Sequence, residues 1–225
     1  MAEQTILGLD PSRIPDILTA TWETLLMVGW AVLGILAFGI PLGVLLVVTD
    51  TGGILENRPL NRVLGFLVNL GRSFPFIILL VALVPVTRRV MGTTIGLRGA
   101  VFPLIVAAIP FMGRQVESAL REVDRGLIEA ALAMGATPGQ VIVRVLLREA
   151  LPGLIRGTTI MIISLIGYSA MAGAVGGGGL GDLAIRYGYM RFETPVMIAT
   201  LIILVIMVQL IQWLGDWLAR LLDRR

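Results

Sequence analysis

Val196 to Leu214 reads VMIATLIILVIMVQLIQWL. No charge interrupts it, and after Thr200 its first polar side chains are Gln209 and Gln212. A helix needs about 20 mostly apolar residues to cross a hydrocarbon core about 30 Å thick, so this stretch reads as a membrane span. Working outward, four more segments qualify once proline is tolerated. They run over about 21–48, 62–86 (with Asn69, Arg72 and Pro75), 95–113 (with Pro103 and Pro110) and 154–172. With 196–214 they predict an all-α integral membrane protein with five transmembrane helices. Little chain remains for anything else, so 1–225 reads as a single transmembrane domain. The first span is too long and starts too late for a cleaved signal peptide, and Met1 to Leu18 stay unassigned.

Composition agrees. Of 225 residues, 56% are hydrophobic and 15% charged, against about 25% charged in an ordinary soluble domain. All 18 basic residues are arginine; lysine, histidine and cysteine are absent. Lysine-based phosphate loops and Schiff bases are thereby excluded, as are thiol nucleophiles, Ser-His triads, disulfides and the usual zinc sites. No catalytic residue and no metal ligand is assigned. In so apolar a chain, arginines read as membrane anchors and not as a nucleic-acid surface.

Arginine placement gives an orientation. With the N-terminus outside, 11 arginines fall on inner segments and 6 on outer ones, Arg72 being left within a span of the 18. The positive-inside tendency then predicts an outer N-terminus and a cytoplasmic C-terminus. The outer pair Arg88-Arg89 runs against it.

The inner connection from Arg114 to Gly153 is too polar to span and too patterned for a linker. Gln115 to Val123 continues the third helix. Asp124 can cap a short helix, Gly126 to Met134, with Leu127, Ile128, Ala131 and Met134 at helical spacing. Gly135 suits the left-handed residue that ends it. Thr137-Pro138-Gly139-Gln140 has the form of a capping box that starts a second helix. Such a pair could lie against the membrane or present its small tip to a partner protein. Periodicity does not choose between them.

Glu129-Ala130-Ala131-x-x-x-Gly135 resembles the EAA signature of ABC importer permeases. In that pattern Val145 and Leu147 fit the tail, Arg148 replaces a proline, and Leu151-Pro152 follows three residues later. Two further segments, Arg72 to Leu80 and Gly167 to Gly176, together resemble the methionine-uptake branch, over nearly the whole chain from Thr19. The resemblance implies the type I importer permease fold in a bacterial cell inner membrane. It implies a homodimer, two copies of a cytoplasmic ABC ATPase and an extracytoplasmic methionine-binding protein. It places Glu129, Ala130, Ala131, Gly135, Ala136, Thr137 and Pro138 at the ATPase-docking site. ATP and Mg belong on the partner, and no cofactor is bound directly by this chain. The substrate implied is L-methionine, with D-methionine a second candidate.

On the fourth span, Met161, Ser164, Tyr168 and Met171 form one stripe. It serves helix packing or a translocation pathway and gate, where methionine's polarizable thioether would suit the substrate. Gly39-x-x-x-Gly43 predicts a tight helix contact or a kink. Gly176 to Gly181 matches a dinucleotide fingerprint only as a string and reads as a flexible outer loop. Asp182 to Glu193, with Tyr187, Tyr189 and Arg191, could meet the binding protein or form an interfacial helix. The competing readings are a permease for another amino acid and a self-sufficient channel or secondary transporter. No inverted repeat and no membrane-buried acidic residue suited to ion coupling supports the latter; Glu117 and Asp216 read as lying near span ends.

Overall fold

A computed structural model describes residues 10–223. Residues 1–9 of the unassigned first stretch, and Arg224 and Arg225, which count among the arginines expected inside, lie outside it. The helices are α1 (Ile14–Val48), α2 (Arg58–Ser73), α3 (Phe76–Ala82), α4 (Val84–Met91), α5 (Gly96–Arg121), α6 (Arg125–Ala133), α7 (Pro138–Gln140), α8 (Leu147–Glu149), α9 (Leu151–Gly173), α10 (Gly179–Leu183) and α11 (Thr194–Leu222). Two π-helical stretches, Val141–Leu146 and Ala184–Tyr189, interrupt the connections. No strand occurs among the described residues.

Among the described residues four helices are long and apolar enough to cross a membrane: α1 with its leading turn, α5, α9 and α11. The expected span over 62–86 differs. It is α2 and α3, bent by 100° at a short break. The reason is local. Phe74 precedes Pro75 and adopts extended backbone (φ −77°, ψ 126°), as the proline ring demands of its predecessor. Arg72 lies in the last turn of α2 and is exposed. Arg88 and Arg89 occupy the last turn of α4, where cations meet the negative end of the helix dipole. That gives the Arg88-Arg89 pair, which the expected orientation puts outside, a local cause.

Contacts cluster into two units, and the long helices contribute to both. One contains the chain up to Leu33, Pro75–Val106 and Ile162–Ile211; the other contains Gly34–Phe74, Ala107–Met161 and Gln212 onward. In the second unit α1 packs closely on α5. A Cβ placed on Gly39 would come within 2.8 Å of the Met112 side chain, and one on Gly43 would overlap Val116. The glycine pair therefore makes the tight contact. Met112 and Val116 are fully buried there.

In the first unit the glycine run is ordered, contrary to the flexible loop expected. Gly176, Gly178 and Gly179 take left-handed φ of 86°, 80° and 74°. The Gly179 N–H donates to Glu23 Oε2 and the Leu180 N–H to Thr24 Oγ1, both at 2.9 Å. Two α1 side chains thus satisfy the free amides that begin α10. Tyr187 is surrounded by the guanidiniums of Arg13, Arg191 and Arg186 at 4.2, 4.6 and 5.2 Å from its ring centre. Arg13 also holds Glu193 through two bonds of 2.9 and 2.6 Å.

Candidate functional site

The connection after α5 is built from three local stops and starts. Asp124 accepts the Gly126 N–H at 2.6 Å and begins α6. α6 ends in a paired closure. The Gly135 N–H donates to the Leu132 carbonyl at 2.9 Å and the Ala136 N–H to the Ala131 carbonyl at 3.0 Å. This Schellman arrangement needs a left-handed residue, and Gly135 supplies it at φ 84°. Thr137 then restarts the helix. Its hydroxyl accepts the Gln140 N–H at 3.4 Å, and its own N–H donates to Gln140 Oε1 at 2.9 Å. The capping box is complete, with Pro138 in the first turn.

After α7 the helix loosens into the π stretch Val141–Leu146. Val141 and Leu146 are buried and hold the returning limb.

The apolar stripe on α6 is not a single buried face. Ala131 is buried and Ile128 half-buried, but Leu127, Leu132 and Met134 are exposed, Met134 by 82%. Glu129, Ala130, Gly135, Thr137 and Pro138 are exposed as well, and Ala136 is half-buried. The expected docking residues thus form a contiguous, rigidly capped and largely uncovered tip.

Behind the tip lies a cavity of about 440 Å³. Glu129, Arg125 and Ile128 of the tip line it together with Asp50, Gly53 and Arg121. Asp50 is held below its ordinary carboxylate value, first by the Arg121 guanidinium and then by the Thr51 amide. In the same connection Glu56 is lowered first by the Gly52 amide and then by Arg58. Sequence inspection placed Glu117 only as an acid near a span end and missed its ion pairs. It is 7% exposed and binds Arg114 and Arg121 of its own helix. The Arg-x-x-Glu-x-x-x-Arg spacing is the signal that could have revealed it.

The pathway candidates are not alike. Met161 is fully buried, Ser164 and Tyr168 are half-buried, and Met171 is 47% exposed. Tyr168 stacks on Phe76, with ring centres 4.7 Å apart and planes 11° from parallel. Phe76 begins α3 immediately after Pro75, and the sequence alone gave no reason to pair it with Tyr168. The geometry therefore puts Met161 in packing and leaves Met171 as the accessible end.

Comparisons with known proteins follow the same lines. Residues 39–225 match the family described as binding-protein-dependent transport system inner membrane component. A Vibrio cholerae protein named "Probable D-methionine transport system permease protein MetI" is 55% identical, covering 93% of each chain. A Pasteurella multocida protein of the same name is 52% identical over 92% of this chain and 95% of its own. A chain from a structure titled "Inward facing conformations of the MetNI methionine ABC transporter" superposes with a TM-score of 0.94. It is 49% identical over 96% of this chain and 100% of that one. The apolar helices, the bent second segment and the capped connection after α5 therefore have a common explanation: the chain belongs to the family of binding-protein-dependent transport system inner membrane components.

Proposed function

We propose that the chain is the pathway-forming subunit of an ATP-driven methionine importer in a bacterial inner membrane. The observation that carries this reading is full-length similarity to a methionine ABC transporter chain. The uncovered tip from Arg125 to Gln140 agrees with it. Exposed Leu127, Leu132 and Met134 need a cover, and the capped ends make the tip rigid enough to receive force. Two copies of the permease form the transporter, treated as one transmembrane domain each. Two copies of a cytoplasmic ATPase, carrying ATP and Mg, dock at Glu129, Ala130, Ala131, Gly135, Ala136, Thr137 and Pro138. An extracytoplasmic binding protein delivers methionine. The N-terminus lies outside and the C-terminus in the cytoplasm.

The division of labour follows from composition. A chain with no lysine cannot supply a Walker phosphate-binding lysine, so hydrolysis belongs to the partner. Reversing a gate from 1:99 to 99:1 takes about 5.5 kcal/mol of differential binding. Closure of the ATPase pair supplies it through the tip, and α9 moves the Tyr168–Met171 region. The test is uptake of radiolabelled methionine into proteoliposomes holding the permease, its ATPase and its binding protein. Accumulation should require ATP and stop when the ATPase site is inactivated, with unlabelled L- and D-methionine competing. Flux independent of ATP would favour a channel or secondary transporter; indifference to methionine competitors would favour another amino acid.

A further inference from the structure

Glu117 is the only acidic side chain on α5, and it is 7% exposed. A carboxylate is kept in such a place only with partners that compensate for lost water. Its two oxygens are divided between two arginines. Oε2 accepts from Arg114 Nη1 at 2.5 Å. Oε1 accepts from Arg121 Nε and Nη2 at 3.2 and 2.9 Å.

Each arginine then reaches a different part of the fold. Arg114 Nη2 donates to Asn69 Oδ1 at 2.8 Å and to the Gly65 carbonyl at 3.3 Å, both on α2. Arg121 Nη2 donates to Asp50 Oδ2 at 2.7 Å, in the α1–α2 connection. Asn61 of α2 closes the circuit by donating to the Leu46 carbonyl of α1 at 2.6 Å. Arg121 is the last residue of α5, and Asp124 starts the tip. One buried carboxylate therefore fixes two guanidiniums that tie α5 to α2 and to the α1–α2 connection, at the root of the exposed tip.

We propose that Glu117 is a positioning residue for energy coupling. By locking Arg114 and Arg121 it makes α5, α2 and the α1–α2 connection move with the tip as one body. It thereby sets how much substrate is moved for each ATP hydrolysed. The inference rests on the docking role of the tip. Without the carboxylate, two like charges remain at the root with weakened orientation. Displacement of the tip is then absorbed locally and does not reach α2. Linked networks of this kind lose more than one bond when the shared member is removed.

The test uses the complete transporter in proteoliposomes and reads methionine accumulated per ATP hydrolysed. Wild type is compared with Glu117→Gln, Glu117→Asp and Asn69→Ala. Glu117→Gln should co-purify with the ATPase and hydrolyse ATP within about twofold of wild type, yet accumulate about tenfold less per ATP. Glu117→Asp should recover part of that loss. Asn69→Ala removes the shorter of the two bonds from Arg114 to α2 and should lower the ratio by about twofold. An unchanged ratio in Glu117→Gln and Asn69→Ala overturns the proposal. So does a proportional fall in hydrolysis and accumulation, which marks a merely structural role. Should Glu117→Gln fail to assemble, the ratio for Asn69→Ala decides alone. Failure of the wild-type permease to co-purify with its ATPase would instead strike at the docking reading.

Discussion

Replacing Gly135 isolates the backbone from every other effect at the tip. Its φ of 84° lies in the left-handed region, and a Cβ built there meets no atom within 4 Å. A substitution therefore clashes with nothing, and its cost is the conformational penalty alone. For an ordinary L-residue that is about 1–2 kcal/mol. The population with both closing bonds, Gly135 to Leu132 and Ala136 to Ala131, should fall by about 5- to 30-fold relative to open forms. Asparagine tolerates this region better than alanine, and a β-branched residue tolerates it worst. If the closed tip is the form that the ATPase binds, the loss passes directly into affinity. Gly135→Asn, Gly135→Ala and Gly135→Val should then weaken ATPase binding in that order, measured by titrating labelled ATPase against permease in detergent. Thermal stability of the membrane helices should hardly change. Equal binding by all three variants, or alanine outperforming asparagine, would refute the reasoning. A shared loss of folding would refute the claim that the cost is local.

Other expectations follow from particular contacts. Gly43→Leu forces a side chain into Val116; overpacking should cost about 1–3 kcal/mol and lower the thermal midpoint of the purified permease. Asp50 titrates below its unfolded value because Arg121 and the Thr51 amide hold its charged form. Its contribution is therefore complete at neutral pH and is lost as pH falls through the lowered value. Limited proteolysis of the α1–α2 connection should accelerate only below about pH 4, and Asp50→Asn should flatten that dependence. Met171→Ala shortens an exposed side chain beside Tyr168 and should raise basal methionine leak in the absence of binding protein; unchanged flux with and without the binding protein would remove Met171 from the gate.

The parts that could be read from sequence are those whose partners lie within a few residues. Asp124 caps an amide two residues away, and the Thr137–Gln140 box closes over three. The EAA-like spacing then placed these helix ends in a functional context. Long apolar runs were equally plain, since burial in lipid asks only for length and composition. What escaped notice depends on distant partners. Arg121 meets Asp50 across 71 positions and Arg114 meets Asn69 across 45. No period within α5 announces those contacts, and Glu117 looked like an ordinary span-end acid. The glycine run misled for the same reason, because Glu23 orders it from 156 positions away. The bend at Pro75 had a local signal, but hydropathy averaged over the whole segment concealed it.

Because the chain contains no cysteine, a single introduced one gives an unambiguous report of where the ATPase sits. Met134 is 82% exposed at the tip, so Met134→Cys can be charged with a photoactivatable crosslinker in the assembled transporter. The account predicts a covalent permease–ATPase product from this site, at a yield that changes between the nucleotide-free and ATP-bound states, and none from a control cysteine at Phe192. Efficient labelling at Met134 with no ATPase product in either state would contradict it.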